Sequence, residues 1–93
     1  MNLIVHHKVK DYATWKPFFD ADVDNRKAAG CTGAHLMQSK TDPNDIIISL
    51  AFDSMERAQA LVDSPKLREV MEQAGVIGMP DVWFVESVER LPS

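Results

Sequence analysis

The order in which apolar spacing switches between two residues and three to four constrains this chain most. Residues 2–9 alternate. Leu3, Val5, His7 and Val9 share one face of a strand, and Ile4, His6 and Lys8 share the other. The period then lengthens, and Tyr12, Trp15, Phe19 and Val23 fall on one helical stripe. Pro17 interrupts that stripe. Inside a helix it removes a hydrogen bond and clashes with the preceding turn. With Thr14 as N-cap, Pro17 sits in the first turn, where it is tolerated. This predicts a turn over 11–14 and a helix over 15–28, ended by Gly30.

Two strands follow. Over 31–40, His35, Met37 and Ser39 oppose Leu36 and Gln38. Thr41-Asp42-Pro43-Asn44-Asp45 reads as a tight turn with Pro43 in its second position. Ile46, Ile47 and Ile48 open an apolar run to Phe52, the pattern of a central strand buried on both faces. Asp53-Ser54-Met55-Glu56 has capping-box spacing, with Glu56 at N3. Ser64 and Pro65 restart the helix as N-cap and N1. Gly75, Gly78 and Pro80 read as a loop, and 81–89 as the last strand.

The result is β-α-β-β-α-β over 93 residues, an α+β, ferredoxin-like sandwich. Crossover handedness places the first and third strands at the centre of an antiparallel four-stranded sheet, with both helices on one face. Residues 1–93 are used up by this single domain. The other sheet face carries too many apolar residues for water, and a second copy is its simplest cover. Ten basic against fourteen acidic residues give a net charge of −4, a poor match to nucleic acid or anionic membrane. Cys31 is the only cysteine, which excludes an internal disulfide and a cysteine-based metal cluster. No apolar run approaches the ~20 residues of a membrane helix, and no signal peptide is evident. A soluble, cytoplasmic protein is expected.

The opening Val5-His6-His7-Lys8-Val9-Lys10-Asp11-Tyr12-Ala13-Thr14-Trp15-Lys16, with the later Phe52-Asp53-Ser54-Met55-Glu56-Arg57-Ala58 and Ser64-Pro65-x-Leu67 segments, resembles the dimeric α/β-barrel superfamily. That group includes antibiotic-biosynthesis monooxygenase-like proteins and small uncharacterised relatives. The resemblance implies a homodimer with two sheets packed face to face into a barrel. It also implies a pocket between each sheet and its helices. Cofactor-independent oxygenation of an aromatic or quinol-type molecule is one activity it implies. A non-catalytic ligand-binding or regulatory dimer is the alternative.

Adjacent strand positions send His6 and His7 to opposite faces, so they do not chelate one metal together. No metal or cofactor is expected. His7 is the candidate base, with His35 as second candidate; a core histidine bonded to backbone or to Tyr12 is the plainer reading of His7. Tyr12, Trp15, Phe19 and Met37 are candidate ligand contacts, Trp15 and Phe19 as walls of an apolar pocket. Met55, Met71 and Met79 are further candidate lining residues, and Trp83 a candidate subunit contact. Cys31 reads as a buried, inert thiol.

Overall fold

The computed structural model describes residues 1–93. Its strands are β1 (Asn2–Val9), β2 (Cys31–Gln38), β3 (Asp45–Phe52) and β4 (Val76–Val85), in the sheet order β2-β3-β1-β4. All pairs are antiparallel. This is the ferredoxin-like α+β arrangement, with β1 and β3 inside. Leu3↔Leu50, Val5↔Ile48 and His7↔Ile46 set the register, so one apolar row from each central strand faces the helices. Leu3, Val9, Ile46, Ile48, Leu50 and Phe52 are buried there with Trp15, Ala58 and Ala74 from the helical side.

Each expected helix is divided in two: α1 (Tyr12–Ala21) and α2 (Val23–Ala28), then α3 (Met55–Val62) and α4 (Pro65–Gln73). The first N-cap is Asp11, not Thr14. The Asp11 carboxylate accepts the Thr14 backbone N–H at 3.0 Å and the Thr14 hydroxyl at 2.8 Å. The helix therefore begins at Tyr12, and Pro17 lies inside it. The break falls at Asp22, whose N–H turns back to the Phe19 carbonyl. Gly30 ends α2 as expected, at φ 99°. The second helical region is capped by Ser54, whose Oγ accepts from the Arg57 N–H, so Glu56 is at N2 rather than N3. Asp53 pairs with Arg57 instead. Ser64 and Pro65 restart the helix as expected.

The last strand differs most from expectation. It spans Val76–Val85 and contains Gly78 and Pro80, which the sequence pattern assigns to a loop. A register shift lets them in. His6 pairs with Asp81 and Lys8 with Ile77, so residues 78–80 bulge opposite His7. Gly78 takes φ 72° within the bulge. The strand stops at Val85 because Val85 pairs with Asn2, the first residue of β1, and later residues have no ladder partner.

The second sheet face is uncovered within one chain. β3 is buried on the helix side only, with Ile47 exposed on the other. Met37, Ile77, Trp83 and Val85 are exposed as well. No helix is long and apolar enough to cross a membrane.

Candidate active site

A cavity of about 410 Å³ opens between the inner sheet face and the helices. Leu3, Val5, His7 and Ile48 line it from the sheet, Trp15 and Phe19 from α1, Arg26 from α2 and Met71 from α4. The β4 bulge, Gly78, Met79 and Pro80, also contributes. Most of the lining is apolar, as expected of a small-molecule site.

The aromatic wall follows from helical spacing. Trp15 and Phe19 are four residues apart and therefore stack, with ring centroids 5.1 Å apart. His7 projects from β1 onto Trp15, at 5.6 Å between centroids. Arg26, one helix later, lays its guanidinium over Phe19 at 3.9 Å. His7, Trp15, Phe19 and Arg26 thus form a continuous row along the cavity.

His7 is 5% exposed, and its Nδ1 has no hydrogen-bond partner. The plainer expectation, a histidine bonded to backbone or Tyr12, is not what Nδ1 does. Burial, and next the charge of neighbouring His6, push its pKa below the usual histidine value. His7 is therefore neutral at pH 7. His6 points to the opposite face, between Asp45 at 2.6 Å and Asp81 at 3.3 Å. The hydrogen bond to Asp45, then that to Asp81, raise its pKa.

The expected site residues are only partly brought together. His7, Trp15 and Phe19 share the cavity wall. Tyr12 packs on Trp15, at 5.9 Å between centroids, but is outside the lining. His35 and Met37 are on the uncovered face, because Leu36 and not its neighbours pairs with inward-facing Ile48. Both are exposed. Met71 and the largely exposed Met79 border the cavity, whereas Met55 is exposed and outside its lining. Sequence reasoning missed Arg26. The signal was present, since Arg26 is the next position on the Tyr12–Trp15–Phe19–Val23 stripe and a charge there is anomalous.

No family model and no curated protein matches this sequence. Solved structures do match. One described as an antibiotic biosynthesis monooxygenase superposes with a TM-score of 0.72 at 13% identity, covering 95% of this chain and 98% of the other. A candidate antibiotic biosynthesis monooxygenase from Bordetella bronchiseptica gives 0.80 at 16% identity, covering 95% and 96%. SnoaB from Streptomyces nogalater, a cofactor-independent oxygenase, gives 0.73 at 10% identity, covering 99% and 96%. This chain shares the ferredoxin-like α+β fold of these structures. At these identities the likeness is one of backbone.

Proposed function

We propose that the chain is a homodimeric, cofactor-independent oxygenase acting on an electron-rich aromatic molecule of the quinol or polyphenol type. The observation that carries this reading is His7, a buried, neutral imidazole on the wall of an apolar cavity, whose buried Nδ1 has no hydrogen-bond partner. Such a group accepts the proton of a phenol or of an acidic CH2 between aromatic rings. The resulting anion is electron-rich enough to reduce dioxygen itself. Conversion of CH2 to C=O takes one oxygen atom from O2 and releases the other as water, with no external reductant. Trp15 and the aliphatic walls hold a planar ring and exclude bulk water.

The shared fold with SnoaB, a cofactor-independent oxygenase, supports the reaction class. The exposed Ile47, Ile77, Trp83 and Val85 support a dimer through the open sheet face. His35 and Met37 belong to that face and to the subunit contact in this reading.

Oxygen-electrode assays with a panel of quinols and polyphenols test it. Uptake that disappears in His7→Phe is the expected result. Silence from a folded protein across the panel favours a second reading, a non-catalytic small-molecule-binding dimer. That reading is favoured by one observation: His7 and Arg26 are the only buried polar side chains.

A further inference from the structure

Arg26 is 8% exposed, and it lines the cavity. Its Nη1 donates to the Phe19 carbonyl at 2.7 Å, and this is its only side-chain hydrogen bond. A guanidinium has several N–H donors in a planar fork. The rest of Arg26's donors have no protein acceptor. It makes no ion pair either. Asp22, the half-buried carboxylate at the cavity edge, instead accepts from Asn25 at 2.7 Å. Arg68 and Glu72 also line the cavity, but they are exposed, opposite in sign and screened by water.

A buried cation without a counter-ion is costly. The carbonyl end of α1 and the face of Phe19 offset part of that cost here. Neither occupies the donor fork as a carboxylate or phenolate does. The fork therefore lies in a mostly apolar cavity whose own carboxylates, Asp22 and Glu72, do not pair with it.

We propose that Arg26 is the anion anchor of this cavity, and that its ligand is a planar aromatic molecule carrying one anionic oxygen group. The ring lies in the apolar body of the cavity beside Trp15, and the anion pairs with the guanidinium. The proposal rests on the cavity being a ligand site and narrows the ligand to aromatic anions.

The test is a binding comparison, independent of turnover. The probes are 2-naphthoate and the isosteric neutral 2-naphthamide, titrated calorimetrically and by tryptophan fluorescence at pH 7.5. The wild-type protein is expected to bind the carboxylate about tenfold tighter than the amide. Arg26→Gln should bring the two ligands within about twofold, by weakening the carboxylate alone. Arg26→Lys keeps the charge but loses the fork, and should retain part of the preference. Equal binding of both probes to the wild type overturns the proposal. So does a preference that survives in Arg26→Gln, or binding of neither probe. If Arg26→Gln does not fold, the wild-type pair and Arg26→Lys still decide. Charge selectivity in a protein silent toward oxygen would overturn the oxygenase reading and leave the anion anchor standing.

Discussion

The imidazole of His7 meets the indole of Trp15 edge to face, with ring centroids 5.6 Å apart and planes at 66°. This contact fixes a ring whose Nδ1 has no partner. A buried polar atom without a hydrogen bond costs ~1–3 kcal/mol. His7→Phe keeps a ring against Trp15 and removes that atom. The variant is expected to be more stable by ~1 kcal/mol, raising Tm by ~4–8 °C for a domain of this size. Oxygen uptake should be lost at the same time. A lower Tm in His7→Phe would show that the imidazole contributes to stability, and would remove the case for a free base.

The two adjacent histidines have opposite pH signatures. As pH falls below about 6.5, the unfolded chain protonates at His7 before the folded protein does, so His7 destabilises the protein in acid. The hydrogen bonds to Asp45 and then to Asp81 favour the protonated form of His6 and raise its pKa. Its contribution is fully present below about pH 6.5 and is lost as pH rises through its raised value. In urea unfolding, His7→Phe should therefore gain more at about pH 5.5 than at about pH 8.5. His6→Gln should lose more at the lower pH. A difference independent of pH in either variant contradicts the corresponding assignment.

Gly30 connects α2 to β2 in a conformation that favours glycine. Its φ is 99°, and an added Cβ would lie 2.7 Å from Asp53 Oδ1 and 2.8 Å from Arg57 Nε. Gly30→Ala therefore meets backbone strain and disturbs the Asp53–Arg57 pair. A loss of ~1–3 kcal/mol is expected in chemical denaturation. Gly33 is the control. It has ordinary φ, and an added methyl would meet nothing within 4 Å, so Gly33→Ala should change stability by less than ~0.5 kcal/mol.

Trp83 stands on the uncovered sheet face, 50% exposed, and pairs with Ile4. In the proposed dimer it lies at the subunit contact. Trp83→Glu places a charge there without altering the inner core. Light scattering should find the wild type at twice the chain mass and the variant at the monomer mass. A wild-type monomer at micromolar concentration would discard the dimer.

Much of the fold was legible in the sequence because periodicity is local. The alternation of Leu3, Val5, His7 and Val9 places those residues on the inner face, and it separates His6 from His7. The stripe of Trp15 and Phe19 gives the stacked pair. Where local spacing misled, the competing interaction was specific. Asp11 outcompeted Thr14 as N-cap because its carboxylate reaches both Thr14 donors. Ser54 capped α3 because Asp53 was engaged by Arg57.

Sequence by itself therefore determined the order of elements, the inward face of β1 and the aromatic stripe, since each depends on spacing within a few residues. Tertiary structure decided the site. The β4 bulge opposite His7 arises from register between residues more than seventy positions apart, such as His6 and Asp81. The same folding placed Arg26 over Phe19 and moved His35 and Met37 to the far side of the sheet. The cavity exists because a bulged strand, two broken helices and the inner sheet face leave space that no single segment encodes.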